Sequence, residues 1–164
     1  TVSTAGIAKM IKKLGDDEVK FNLALSLHAA NDEKRSKIME INETNNLDTL
    51  AEALAYFHEK TGTRVTFEYI IFKDFNDSIE DARELLQFSR CVPCKINIIE
   101  YNPIDDGEFQ RADSKKTDEF AAFLESRGLV VNVRRSRGKD IDAACGQLAN
   151  KNKAVQEKIL KTQK

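Results

Sequence analysis

Apolar residues along the chain form short blocks separated by segments with helical spacing. Four of these blocks are rich in β-branched or aromatic residues and have the length of a single strand. They are KFNLALSL (20–27), RVTFEYIIF (64–72), CKINIIEYN (94–102) and LVVNVR (129–134). The pattern predicts a buried strand at each block.

Helical periodicity is clearest after Asn45-Asn46, where apolar residues recur at spacings of three and four. Asparagine is a good N-cap, and Gly62 is a typical residue to end a helix. The apolar positions are Leu47, Leu50, Ala51, Leu54 and Phe57. The pattern predicts a helix over residues 47–61.

Two further helices are predicted between the later strands. Ser78 followed by Asp81 has the spacing of a capping pair. Ser114 is the expected cap of the next helix, and Gly128 is expected to end it. At the N-terminus, TVST (1–4) resembles the end of a strand and GIAKMIKKLG (6–15) the helix that follows.

Strands that alternate with helices in this way predict right-handed crossovers and a parallel sheet. A chain of 164 residues is too short for a closed eight-stranded barrel. We therefore predict an α/β fold, a partial (β/α) barrel with parallel strands and outer helices. Since the sequence begins with residues that resemble the end of a strand, we expect a fragment whose first strands lie upstream.

Composition favours a folded protein of the cytoplasm. The chain is 41% hydrophobic and 32% charged, with a mean hydropathy of -0.48, and it has no apolar run long enough to span a membrane. Residues 1–13 do not resemble a signal peptide. Three cysteines are an odd number and suit free thiols. The net charge of -1 excludes general polyanion binding, but RRSRGK (134–139) is a local basic segment.

Loops that follow the carboxyl ends of parallel strands form the ligand crevice in α/β folds. In this chain they are predicted to meet on one face. The four loops are Ser3-Thr4, Ser26-Leu27-His28, Lys73 to Asp77 and Asn102-Pro103. His28 and Asn102 also have ordinary structural interpretations, as a satisfied histidine and a turn residue.

The cysteines allow two interpretations each. The pair Cys91 and Cys94 has a spacing used for zinc and redox sites, but too few further ligands accompany it, so buried structural thiols are favoured. Asp105, Asp106 and Glu108 lack the spacing of a cation site, and no metal site is predicted. Cys145 in DIDAACGQLA (140–149) is either a small core residue or a thiolate activated by the arginines before it.

Several segments together resemble one family. They are TVSTAG (1–6), LALSLHAANDEKR (23–35), CKINIIEYNP (94–103) and RRSRGKDIDAACGQLA (134–149). They are similar to the C-terminal part of the radical-SAM methyltransferases that modify C2 of adenine in 23S ribosomal RNA and in transfer RNA. The resemblance extends from Thr1 to about Ala149.

The resemblance implies a role for Cys145. The cysteine at this position in the family accepts a methyl group from S-adenosylmethionine, and a radical generated at a [4Fe-4S] cluster activates that group for addition to C2. The chemistry is reasonable because adenine C2 is too electron-poor to attack a sulfonium methyl, whereas a thiolate attacks it readily. The implied S-adenosylmethionine contacts are Ser3, Ser26, Leu27, His28 and Asn102.

The family also implies partners. RNA is the expected substrate, with Arg134, Arg135, Arg137 and Lys139 as candidate phosphate contacts because of their charge. A reducing partner such as flavodoxin is expected for the full-length enzyme. Residues 1–138 are predicted to belong to the barrel, and 139–164 to a C-terminal helical segment that carries Cys145.

Some family motifs are missing from the chain. The C-x-x-x-C-x-x-C cluster motif and the glycine-glutamate motif do not occur, so the cluster ligands are absent and we expect the chain alone to be inactive. Two other functions remain open. One is the sister methylation at adenine C8, and the other is a non-catalytic RNA-binding module.

Overall fold

The computed structural model describes residues 1–104 and 107–135. Within them, five strands form one sheet in the order β1-β2-β3-β4-β5, and every pairing is parallel. The elements are β1 (Val2–Thr4), α1 (Ala8–Asp16), β2 (Leu23–Ser26), α2 (Asp32–Ile38), a 3-10 turn (Glu40–Glu43), α3 (Leu47–Thr61), β3 (Val65–Ile71), α4 (Ile79–Ser89), β4 (Cys94–Glu100), α5 (Ser114–Ser126) and β5 (Val130–Arg134). The predicted parallel α/β fold is confirmed, and strands paired in chain order are the arrangement of a barrel segment.

Two helices begin as their capping residues predict. The Asn46 side chain accepts a hydrogen bond from the backbone N–H of Thr49 at 2.9 Å, and α3 ends at Gly62, which has a φ of 68°. Ser78 and Asp81 form a reciprocal capping box at the start of α4. Each cap satisfies backbone groups that a helix end otherwise leaves unpaired.

The sequence prediction differs from the structure at two helices. Ser114 is the first residue of α5, and the cap position is Asp113, whose side chain makes no capping bond. Helix α2 was not predicted, although the Asn31 side chain caps it by accepting from the N–H of Lys34 at 3.1 Å. Its sequence DEKRSKI has too few apolar residues to show a helical stripe.

The helices α1, α3, α4 and α5 pack against one face of the sheet. Alternate strand residues such as Leu25, Phe67 and Ile96 point to that face and are fully buried in the main core. The residues between them point to the opposite side, which we call the open face. At its centre the open face carries polar side chains, which are Ser26, Thr66, Glu68, Asn97 and Asn132.

A second apolar cluster closes the carboxyl end of the open face. Ile70 and Ile99 are buried there beneath Phe72 and Tyr101, whose ring centroids are 4.9 Å apart. Phe109 stacks on Phe72 at 4.4 Å. Along β3 and β4, Ile70 and Ile99 lie two residues beyond Glu68 and Asn97, so the cluster adjoins the polar centre of the open face.

No helix in the described ranges is long and apolar enough to cross a membrane. The predicted C-terminal segment, residues 139–164, lies outside the described residues.

Candidate functional site

A row of polar side chains crosses the middle of the open face. Ser26, Glu68, Asn97 and Asn132 are aligned by the strand register. The Nδ2 of Asn132 donates to Oδ1 of Asn97 at 3.4 Å, and the Nδ2 of Asn97 donates to Oε1 of Glu68 at 3.2 Å. We call these four residues the polar row.

The hydroxyl groups of Ser3 and Ser26 lie on this face and have no hydrogen-bond partner within residues 1–104 and 107–135. Ser3 pairs with Ala24, which precedes Ser26 by two residues on the neighbouring strand. Standard strand spacings place the two serines about 8 Å apart. Both hydroxyls are therefore free to contact one ligand, and their role as cofactor contacts stays a prediction.

His28 lies two residues beyond the end of β2, and its backbone is in the left-handed region, with a φ of 59°. Its buried ring then replaces a backbone carbonyl, because Nδ1 accepts a hydrogen bond from the N–H of Ile70 at 3.0 Å. Burial, helped by the charge of Arg35, lowers the pKa of His28 to about 3. The ring is therefore neutral at physiological pH, and its hydrogen sits on Nε2, the nitrogen that remains for a ligand.

Asn76 holds the left-handed turn of His28 in place. This fully buried amide donates to the carbonyl oxygens of His28 at 2.7 Å and Ile70 at 2.8 Å, and its Oδ1 accepts from the N–H of Phe72 at 2.7 Å. The backbone oxygen of Asn76 accepts from the hydroxyl of Tyr69 at 2.7 Å. One side chain therefore joins the loop after β2 to the end of β3.

Arg35 joins the loops after β1 and β2. Its guanidinium is fully buried and donates to the carbonyl oxygens of Ala5 at 2.8 Å, Ser26 at 3.0 Å and Leu27 at 3.0 Å. A fourth bond goes to Oδ1 of Asn42, also at 3.0 Å. Burial lowers the pKa of Arg35 to about 10, so the group stays charged at neutral pH.

The other two predicted cofactor contacts are already engaged. Leu27 is fully buried in the main core, its N–H donates to Glu68 O at 3.0 Å, and its oxygen accepts from Arg35. Leu27 therefore offers a ligand no free side chain. Asn102 lies beyond the end of β4, and its Oδ1 accepts a hydrogen bond from Arg111 Nη2.

The predicted basic segment is only partly described. Arg134 is exposed at the end of β5, whereas Arg135 pairs with Glu100 at 2.9 Å and with Asp118. Arg137, Lys139 and the candidate catalytic residue Cys145 lie outside the described residues. Of the proposed phosphate contacts, Arg134 is the described one that has no acidic partner in the structure.

Cys91 and Cys94 are free thiols at the amino end of β4. Burial raises the pKa of Cys91 to about 11 and that of Cys94 to about 12. At neutral pH these pKa values keep both thiols in the protonated form, which is a poor nucleophile. Within the described residues, no group of three acidic, histidine or cysteine side chains could hold a metal ion, so these residues do not fit an iron-sulfur cluster.

Three side chains that shape or line the candidate site were not predicted from the sequence. Arg35 lies in a polar segment that is typical of an exposed helix, and Asn76 looks like an ordinary turn residue. Glu68 did carry a signal, because it is the one acidic residue in the apolar block RVTFEYIIF, and a charge on a buried strand requires a partner.

Comparison with known proteins gives close relatives. No family model matches the chain. The probable dual-specificity RNA methyltransferase RlmN of Cytophaga hutchinsonii is 62% identical over 151 residues, which cover 92% of this chain and 41% of the relative. That of Christiangramia forsetii is 59% identical, over 93% of this chain and 43% of the relative. The chain thus spans about two fifths of the length of these curated relatives.

A solved structure agrees with the sequence match. A radical SAM methyltransferase from Sphaerobacter thermophilus is 39% identical and superposes with a TM-score of 0.83, over 89% of this chain and 43% of that one. The sequence matches fall in the C-terminal part of the relatives. In sequence the chain is similar to the C-terminal part of proteins named as RlmN RNA methyltransferases, and in fold it is similar to part of a solved radical SAM methyltransferase.

Proposed function

We propose that the chain is the C-terminal part of an RNA methyltransferase that methylates C2 of adenine in 23S ribosomal RNA and transfer RNA. The observation that carries the proposal is the agreement between the motifs of this family and the free hydroxyls of Ser3 and Ser26 on the open face. Close identity to proteins named RlmN supports the RNA substrate.

The described residues fit a nucleoside cofactor. Two serine hydroxyls and an unpartnered oxygen of Glu68 are polar groups on the open face that can bind ribose or amino groups. Arg35 and Asn76 position the loops that carry Ser26 and His28. S-adenosylmethionine, when bound, supplies the methyl group, and Cys145 is the residue that we propose to carry it.

The remaining parts of the proposal concern partners. We propose that the cluster ligands lie in upstream sequence, that a flavodoxin-like protein supplies electrons, and that Arg134, Arg137 and Lys139 contact RNA phosphates. The chain by itself is then inactive. Arg135 is a weaker candidate because Glu100 and Asp118 already neutralise it.

The test uses the chain together with its upstream sequence, produced in cells that lack their own enzyme. Nucleosides from ribosomal and transfer RNA are analysed by mass spectrometry with fragmentation standards. We expect 2-methyladenosine with the wild type and with Cys91→Ala, and none with Cys145→Ala. Cys91 is the matched control because it is half-buried against the main core, on the helix side of the sheet.

Three results would contradict the proposal. 8-Methyladenosine would assign the protein to the sister reaction. Methylation that survives in Cys145→Ala would remove the carrier role. RNA binding without any methylation would favour a non-catalytic module.

A further inference from the structure

We infer that Glu68 is a polar contact of the cofactor, with Oε2 of its carboxylate accepting a hydrogen bond from a hydroxyl or amino group of the bound nucleoside. The inference rests on the proposed function, because it takes S-adenosylmethionine as the ligand of the open face. Glu68 is not among the contacts that the sequence motifs imply.

The first observation is an unpartnered oxygen. Oε2 of Glu68 is buried and has no hydrogen-bond partner in the described part of the chain. A buried acceptor without a donor is unfavourable, since it loses its hydrogen bonds to water and gains none in return. A donor supplied by a ligand removes this cost when it binds.

The second observation is that the carboxylate is held in position. Asn97 is 4% exposed and donates to Oε1, while its own oxygen accepts from Asn132. The side-chain amides of Asn97 and Asn132 both donate in the direction of Glu68, and their oxygens lie on the side away from it. The chain of hydrogen bonds within the polar row therefore ends at Glu68, whose second oxygen has no donor.

The protein itself does not satisfy this acceptor. Lys95 is the lysine on the same face, one layer nearer the amino ends of the strands, and it forms no ion pair with Glu68 within the described residues. Lys34 and Lys116 are paired with other acidic residues. No described cation therefore neutralises Glu68.

The position of Glu68 matches the predicted site. Ser26 is its direct partner in the register of β2 and β3, so the two α-carbons lie about 5 Å apart. A free hydroxyl thus stands beside a free carboxylate oxygen. In dinucleotide-binding α/β folds, an acidic side chain binds a ribose hydroxyl in the same chemical way.

The test compares Glu68→Gln with Glu80→Gln in the protein that contains the chain and its upstream sequence. Glu80 is the matched control because its side chain is 68% exposed on α4, away from the open face. Calorimetric titration with S-adenosylhomocysteine measures binding without any reaction. We expect Glu68→Gln to weaken binding by about tenfold to a hundredfold, as for the loss of one hydrogen bond to a charged group, and Glu80→Gln to leave it unchanged.

A second titration, with 5'-methylthioadenosine, identifies the donor. This probe lacks the amino-acid part of the cofactor. If Glu68 contacts the ribose or the adenine, Glu68→Gln lowers the affinity for both probes. If it contacts the amino group, only S-adenosylhomocysteine binds more weakly.

Thermal unfolding without ligand separates a binding role from a structural one. We expect the melting temperature of Glu68→Gln to equal or exceed that of the wild type, because the variant removes a buried charge that lacks a full set of partners. A melting temperature lowered by several degrees would make Glu68 a structural residue and overturn the inference. Unchanged affinity in Glu68→Gln would overturn it and leave the proposed function intact, whereas a wild type that binds neither probe would overturn both.

Discussion

Replacing Arg35 tests whether one buried guanidinium holds the candidate site together. The variant Arg35→Lys keeps the positive charge but loses the planar fork of donors. A single ammonium cannot reach the carbonyls of Ala5, Ser26 and Leu27 together, because these lie on two different loops. The variant therefore leaves buried acceptors unsatisfied.

The expected cost follows from the bonds that are lost. Arg35 makes four hydrogen bonds, and each bond to a charged group contributes about 1.5–3 kcal/mol net. Lysine retains part of this total, and the contributions are not additive. We expect Arg35→Lys to lower the free energy of unfolding by about 3 kcal/mol, and Arg35→Met by about 3–5 kcal/mol, because breaking a buried charged network is costly.

Urea denaturation followed by circular dichroism at pH 7.5 measures these changes. Arg83→Lys is the matched control, since Arg83 is 62% exposed and pairs with Glu80 on the surface of α4. We expect the control to change stability by less than about 0.5 kcal/mol. A loss below about 1 kcal/mol for Arg35→Lys would refute the idea that the guanidinium fork joins the two loops.

Three further predictions concern the same loops. The pKa of His28 is lowered from 6.5 to about 3, so between these pH values the unfolded chain binds a proton that the folded chain does not. The stabilisation is complete above pH 6.5 and is lost as the pH is lowered, by about 2 kcal/mol at pH 5. Urea titrations should show that His28→Gln removes this part of the pH dependence. An unchanged acid slope in that variant would contradict the pKa. Asn76→Ala leaves buried backbone groups of His28 and Phe72 unpaired. We expect the free energy of unfolding to fall by about 3 kcal/mol and hydrogen exchange at the Phe72 amide to become faster. Exchange protection equal to that of the wild type would argue against this role of Asn76. In thermal melts, Gly6→Ala should destabilise the protein more than Gly62→Ala. Both glycines have a positive φ, but only at Gly6 would an added Cβ meet side chains, the nearest atom lying at 3.1 Å. Equal losses of stability would show that this contact is relieved without cost.

Much of the fold follows from local signals. The strand at 64–72 and the helix at 47–61 agree with β3 and α3 because apolar spacing and capping residues act over a few neighbouring positions. Helix α2 was missed for the same reason. Its stability comes from Asn31 at its start and from buried contacts that a polar local sequence does not reveal.

The candidate site was only partly accessible from the sequence. The motifs singled out Ser3, Ser26 and His28, and the structure places the two serines on the open face and His28 just beyond the end of β2. They did not show that Leu27 has no free group, nor that Arg135 is neutralised by Glu100. Both facts depend on contacts between residues far apart in the chain.

The amino-acid sequence by itself determined the parallel α/β fold, the order of its strands and the family that the motifs resemble. These properties depend on local periodicity and on residue identity. The tertiary structure alone decided which polar groups are satisfied and which remain free. Arg35 donates hydrogen bonds to three carbonyl oxygens, because strand register and loop packing bring residues that are distant in the chain within hydrogen-bond distance. Glu68, in contrast, retains an unpartnered oxygen beside Ser26.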